Sequence, residues 1–451
     1  YVKQQQYAKE SFEVELFPEA GKFPVKQSDW IAISGNSGAS GGPHLHFEIR
    51  DASGESYPLN PASFFKLTDT IAPKFSAVYL YPIHKTVGDG LKYPVKKSKP
   101  DNILVTDSMI INSAVFGVGA DVKDYMNAAT NDYGIYELTL MVDGKKVYDV
   151  KFDRLDFSNG RYANAFIDYK AKKNNGAIIQ RLFRLPGDRN TIYHDLVNDG
   201  KITLSDTDFH KIMIAATDAN GNHSEIQFYV KHSGLELNQA ITTGTVFKYD
   251  QPNSFSSDSI KVNLPANSLY EDLNLQYAVS HNNSAGRFSA TCSVHNPNTP
   301  LHTSYDIGLL PRFIPSALKS KAVIVYDDGK GNRSSKTSHW EGNWLAAKAR
   351  DFGNFYVMLD TVAPNISAGS IKQNQLLVGN SLKFTITDNL SGIVSYKGML
   401  DGKWILMEYD PKNNRLSCDL EKNIAAGEHT LNVTVTDDVK NERIFTLKFR
   451  K

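Results

Sequence analysis

Three short phrases recur along this chain at matched spacings, and together they point to repeated β-units. Asp69-Thr-Ile-Ala-Pro73 returns as Asp360-Thr-Val-Ala-Pro364. Each is followed by alternating apolar and polar residues: Phe75, Ala77 and Tyr79 after the first, Ile366 and Ala368 after the second. Proline at the start of a strand is tolerated on a sheet edge, so each phrase reads as a linker feeding a first edge strand. The second phrase is Asn131-Asp-Tyr-Gly-Ile135 ahead of Val142-Asp-Gly144, matched by Asn389-Leu-Ser-Gly-Ile393 ahead of Leu400-Asp-Gly402, with nine residues from Gly to Asp in both. Asp-Gly after an alternating run is a hairpin signal, and equal spacing argues for two copies of one unit. The third phrase is an apolar strand running into an Asp/Gly/Asn turn. It closes three segments, at Ala215–Asn222, Ile324–Asn332 and Val433–Asn441.

These closings predict an all-β chain with three sandwich modules at about 67–234, 235–359 and 360–451, the first carrying an insertion. The last module is the clearest. Strands are readable at Leu382–Thr387, Val394–Leu400, Trp404–Glu408, His429–Thr436 and Arg443–Phe449. Short strands, regular turns and no helical period describe an immunoglobulin-like sandwich. The Asp-x-x-Ser-Gly-Ile, Asp-Gly and Asp-x-x-x-Asn phrases resemble those of bacterial Ig-like modules, which speaks to fold and says little about function. The middle module reads as β without a legible topology.

Charge narrows the function classes. The 50 basic and 49 acidic side chains leave a net charge of +1, without the basic excess usual in nucleic-acid binders. No apolar run reaches the ~18 residues of a membrane-spanning helix. Two cysteines, Cys292 and Cys418, cannot build a disulfide framework. The chain opens at Tyr1 without Met, so the lack of a signal peptide says little about secretion.

Chemistry concentrates in residues 29–51. From His44 to Arg50 the sequence alternates, placing His44, His46, Glu48 and Arg50 on one face of a strand and Leu45, Phe47 and Ile49 on the other, expected buried, face. Two imidazoles one pleat apart can serve one metal and its water or a substrate oxygen. Before them, Ser34-Gly-Asn-Ser-Gly-Ala-Ser-Gly-Gly-Pro43 is a Gly/Ser loop against which an extended peptide can lie. Two other segments read more plainly. Asp327-Asp-Gly-Lys-Gly-Asn332 lacks calcium-loop spacing and reads as a turn. The arginines of Arg181–Arg189, with Arg154 and Arg161, read as a solvated face, with a grip on a glycan or carboxylate polymer as the alternative.

Gly35-Asn-Ser-Gly38 followed by Gly42-Pro-His-Leu-His-Phe-Glu48 resembles the C-terminal signature of the M23 (LytM/lysostaphin-type) zinc metallopeptidases. Gly21–Ile33 matches that family's preceding strand and Tyr57-Pro-Leu-Asn-Pro61 its usual ending, so the resemblance spans about residues 11–65. It implies that residues 1–66 are the C-terminal part of a β-sheet peptidase domain, that His46 is a Zn2+ ligand, and that His44 assists catalysis. The implied reaction is hydrolysis of peptide cross-links in bacterial peptidoglycan. The implied location is the cell envelope, periplasmic or secreted and outer-membrane associated, with envelope proteins as possible partners. The family's remaining ligands, a His and an Asp, come from an upstream motif. None of the residues before His44 is histidine, so that motif is expected ahead of Tyr1. The alternative is a degenerate M23 domain that acts as a non-catalytic binding scaffold or activator.

Overall fold

The computed structural model describes residues 1–36, 38, 40–54, 56–65, 68–97, 104–235, 244–281, 286–369, 371–420 and 424–451. The chain is all-β, with Ig-like sandwiches built from pairs of antiparallel-rich sheets.

Three hydrophobic clusters fill these sandwiches. The first lies between an eight-stranded and a six-stranded sheet and gathers every second residue of its strands: Val118, Ala120 and Val122; Leu138 and Leu140; Ile212 and Ile214; Ile226, Phe228 and Val230. This is the period-2 pattern of strands with one buried face. At about 1.5–3 kcal/mol for each fully buried large apolar side chain, such rows dominate the stability of each module. The middle cluster, including Ile260, Val262, Ile307, Leu309, Ile324, Phe355 and Val357, lies between two five-stranded sheets. The third, including Leu382, Phe384, Ile386, Leu431, Val433 and Val435, lies between sheets of four and five strands. In that module the short strand Gln375–Leu376 runs parallel to the last strand, Glu442–Arg450, with Gln375 opposite Phe449 and Leu376 opposite Arg450.

The recurrent phrases are turn chemistry with long-range partners. Asp143 and Gly144 have φ of 49° and 78°, and Asp401 and Gly402 have 50° and 80°. Two successive left-handed residues give the hairpin twist that matches paired strands. Each turn carboxylate also reaches a neighbouring strand. Asp143 accepts from the Lys211 backbone at 2.8 Å and from His210 Nδ1 at 2.7 Å, and Asp401 accepts from the Thr430 backbone at 2.8 Å and from His429 Nδ1 at 2.7 Å. The closing turns repeat as faithfully. Asn222 Nδ2 donates to Asp218 Oδ2 at 2.8 Å and to the Asp69 carbonyl at 3.2 Å. Asn441 Nδ2 donates to Asp437 Oδ2 at 2.7 Å and to the Asp360 carbonyl at 2.9 Å. One asparagine thus clasps the start of its module to the end.

Two local expectations are corrected. The first Asp-Thr-x-Ala-Pro phrase does not feed an edge strand: Lys74–Pro82 is interior, paired with both Leu91–Pro94 and Val115–Tyr125. Pro73 sits just outside the strand and Pro82 at its last residue, so neither interrupts the ladder between. The second copy does sit at an edge, since Asn365–Ala368 pairs only with Ser381–Thr387. The strand expected over His44–Arg50 shrinks to Ile49–Arg50, paired with Pro58–Leu59. Leu45 and Phe47, expected on a buried face, are 84% and 59% exposed. A strand forms against a neighbour, and among the described residues no strand is paired with residues 44–48. The rest of the N-terminal segment is a helix, Val2–Lys9, followed by irregular chain. Residues after it dock on the first module: Arg154 Nε donates to Asp51 Oδ2 at 3.0 Å, and the Leu155 backbone donates to the Pro58 carbonyl at 2.9 Å.

Candidate functional site

His44 and His46 stand in exposed, extended chain just after the Gly/Ser loop. The carbonyl of Gly42 can only accept, so His44 Nδ1 donates to it, at 2.9 Å. The Ser40 hydroxyl lies 3.1 Å from the same nitrogen. His46 Nε2 donates to Glu48 Oε1 at 2.5 Å, and Arg50 Nε donates to Glu48 Oε2 at 2.8 Å. His46, Glu48 and Arg50 therefore share one side, as alternation requires, while His44 turns back to its own loop. The bond from His46, then that from Arg50, holds the Glu48 carboxyl below the usual carboxylate range. The loop glycines stand in open space; a Cβ at Gly35, Gly41 or Gly42 would meet nothing within 4 Å.

A zinc site needs about four ligands, three of them from the protein in a catalytic centre. Among the described residues His46 belongs to no group of three His, Cys, Asp or Glu side chains close enough to share a metal, and its Nε2 is engaged by Glu48. Among the described residues one imidazole is too few to make a zinc centre by itself. His44 and His46 are neighbours in sequence without converging on a common point with a third ligand.

The structure brings together two other sets of donors. Asp69, Asp124 and Asp218 each place a carboxylate oxygen within 4.8 Å of the others, and so do Asp360, Asp388 and Asp437. Asp69 and Asp360 come from the recurrent Asp-Thr-x-Ala-Pro phrase, and Asp218 and Asp437 from the closing turn. The third member comes from the far end of a strand: Asp124 near the end of Val115–Tyr125, Asp388 just after Ser381–Thr387. Burial pushes the Asp124 carboxyl up to about 6, with Asp218 and Asp69 adding like-charge repulsion. Sequence reasoning noticed five of the six aspartates in its linker and turn phrases, all but Asp124, and missed the trios.

The arginines around 181–189 are not a free solvated face. Arg184 NH2 donates to Asp199 Oδ1 at 2.6 Å, Arg161 NH2 to the Leu301 carbonyl at 2.7 Å, and Arg181 NH1 to the Ala165 carbonyl at 3.1 Å. They stitch the insertion to its surroundings. Asp328 and Asn332 form the expected turn, with Asn332 Nδ2 donating to Asp328 Oδ2 at 2.7 Å. Cys292 and Cys418 are free and buried. Among the described residues, no helix is long and apolar enough to cross a membrane.

Residues 244–360 match the family model of the Zu5-like domain, which covers the middle sandwich. No curated protein matches the chain. Among solved structures, the chain is similar to a Bacteroides ovatus mixed-linkage glucan utilization protein, SGBP-B, in complex with a mixed-linkage heptasaccharide, at 11% identity and a TM-score of 0.16 over 85% of this chain and 71% of that one. It is likewise similar to dimeric latent PorU of Porphyromonas gingivalis, at 9% identity and 0.16 over 85% of this chain and 34% of that one. A bacterial ice-binding adhesin aligns at 10% identity and 0.15 over 85% and 98% of the respective chains. Alignments so loose carry no argument about activity.

Proposed function

We propose that residues 1–66 are the C-terminal part of an M23-type zinc endopeptidase domain that acts on peptide cross-links of bacterial peptidoglycan. In this reading the β-modules place or brace that domain in the cell envelope, periplasmic or secreted and outer-membrane associated. The observation that carries it is the run Gly35-Asn-Ser-Gly38 with Gly42-Pro-His-Leu-His-Phe-Glu48, which joins a metal-binding residue pattern to a specific Gly loop. His46 would supply one zinc ligand and His44 the assisting imidazole, with a further His and an Asp completing the family's ligand set. The exposed Leu45 side chain and the half-exposed Phe47, whose ring meets only the edge of Phe65 among described aromatic rings, support the reading as an apolar face suited to packing against more sheet.

The experiment is zinc content and cross-link hydrolysis by the protein with its complete peptidase domain. His46→Ala abolishes both, and His44→Ala keeps most of the zinc while losing turnover. Undiminished hydrolysis by either variant overturns the assignment. A second reading, a non-catalytic M23 scaffold, draws on the pairing of His46 with Glu48, where among the described residues no second ligand converges. Absence of stoichiometric zinc in that complete protein favours the scaffold.

A further inference from the structure

We propose that Asp69, Asp124 and Asp218 in the first module, and Asp360, Asp388 and Asp437 in the third, are two binding sites for a hard divalent cation, calcium in preference to zinc. This reading is independent of the histidine segment.

A cluster of carboxylates is common without a metal, and the case here rests on what these carboxylates lack. Asp124 is 6% exposed, and its Oδ1 has neither water access nor a hydrogen-bond donor. The charges that act on it most are the carboxylates of Asp218 and Asp69, both repulsive. A buried anion facing two more anions is a poor arrangement unless a cation completes it. Asp388 in the third module is half-buried, with Oδ2 accepting from the Leu390 and Gly392 backbones at 3.0 and 2.8 Å, but its Oδ1 is likewise buried and without a donor. The other members are held ready. Asp218 Oδ1 accepts from the Asn220 and Asn222 backbones, and Asp360 Oδ2 accepts from the Ser391 backbone at 2.9 Å. In each trio hydrogen bonds fix some oxygens and leave one bare oxygen on the third carboxylate.

The second trio repeats the first. In each module the third carboxylate stands at the end of the strand that pairs with the one following the Asp-Thr-x-Ala-Pro phrase, Asp124 in Val115–Tyr125 and Asp388 just after Ser381–Thr387. Asp124 lies ten residues before Gly134 and Asp388 four before Gly392, so the placement follows strand pairing and not one shared local turn.

The donor set selects the ion. All six groups are carboxylates, with no imidazole or thiolate, which suits calcium, magnesium or manganese and not zinc. Calcium accepts a flexible, oxygen-rich ligand set, whereas magnesium demands a near-ideal octahedron and keeps several waters. Three protein carboxylates converging on one point suit the more permissive ion. The second site also adjoins a module junction. The Asp360 backbone donates to the Lys321 carbonyl at 2.8 Å, Lys321 Nζ donates to the Val439 carbonyl at 2.9 Å, and Val439 packs on Val323, Val325 and Tyr356 of the middle module. A cation there would tie the end of the middle module to the closing turn of the third.

The test uses the full chain, stripped with a chelator and then titrated. Isothermal calorimetry with calcium gives two ions per chain, and calcium raises the thermal midpoint while zinc at equal concentration does not reproduce the rise. Asp124→Asn and Asp388→Asn each remove one ion. Because each removes charge beside a bare, buried carboxylate oxygen without changing shape, neither lowers the midpoint of the stripped protein. Terbium luminescence sensitised by nearby tyrosines supplies a readout that does not depend on unfolding. Failure of both calcium and terbium to bind at millimolar concentration, the weak end of natural calcium sites, overturns the proposal. So does retention of two ions by both variants.

Discussion

Removing the Asn441 side chain tests whether the recurrent phrases hold each module closed. In Asn441→Ala the third module loses a 2.7 Å bond to the Asp437 carboxylate and a 2.9 Å bond to the Asp360 carbonyl, while the backbone bond to Asp437 Oδ1 stays. A bond to a charged acceptor contributes about 1.5–3 kcal/mol and a neutral one about 0.5–1.5, so the loss is about 2–4 kcal/mol. The upper part of that range applies because Asp437 is 0% exposed and water cannot replace the lost donor. Native-state hydrogen exchange in chelator reads this directly. Amides of Glu428–Asp437 and Glu442–Arg450 should exchange on the order of 30- to 1000-fold faster, at about 1.4 kcal/mol per tenfold. Asn332→Ala is the control. Its side chain makes the matching bond to Asp328, but on an exposed turn, so its effect should stay below about 1 kcal/mol. Equal effects of the two substitutions, or acceleration below about threefold for Asn441→Ala, would refute the clasp.

The histidines of the Asp-Gly turns should make stability depend on pH. Both ring nitrogens of His210 face carboxylates, at 2.7 and 3.0 Å, and those of His429 face Asp401 and the Ala425 carbonyl, at 2.7 and 2.8 Å. Four acceptors want protonated rings, and the bonds to Asp143 and Asp401 lead in raising each pKa. Stabilisation from a raised pKa is complete below the unfolded value of about 6.5 and is lost as pH rises through the folded value. Thermal midpoints of the first and third modules should therefore fall from about pH 6 to about pH 9, and Asp401→Asn should flatten the third module's profile. Packing gives a second check: a Cβ at Gly398 would lie 2.5 Å from Met407 Sδ and 2.9 Å from Ile405 Cγ2. Gly398→Ala should cost about 1–3 kcal/mol by urea unfolding, and a neutral result would contradict the tight contact.

What was legible in the sequence was local. Strands expected at Leu382–Thr387, Val394–Leu400, His429–Thr436 and Arg443–Phe449 appear as Ser381–Thr387, Ile393–Leu400, Glu428–Asp437 and Glu442–Arg450, because alternation and turn residues are written into adjacent positions. Trp404–Glu408 shows where this ends. It divides into Lys403–Ile405, which pairs with Ile393–Leu400, and Glu408–Asp410, which pairs with Arg415–Asp419 in the opposite sheet. Period says that a segment is extended, not which sheet receives it. The His44–Arg50 alternation was equally plain, yet without a neighbour only its last two residues pair. The aspartate trios were invisible for a related reason. Asp69 and Asp218 announce themselves in repeated phrases, but Asp124 joins them only through the pairing of distant strands. The histidine partners of Asp143 and Asp401, 67 and 28 residues away, are of the same kind.

The parallel pair that closes the third module gives it a direction of strength. Gln375–Leu376 lies near the module's beginning and Phe449–Arg450 at its end, running side by side in the same sense. Chain pulled from before the first and after the second drags the two strands past each other, so their cross-bonds bear the load together instead of parting one at a time as in a peeled hairpin. The first module carries the same kind of pairing, with Leu104–Val105 and Met109–Ile111 parallel to its closing strand, His223–His232. The middle module, whose described strand pairs are all antiparallel, lacks this device, so under tension it should yield before its two neighbours.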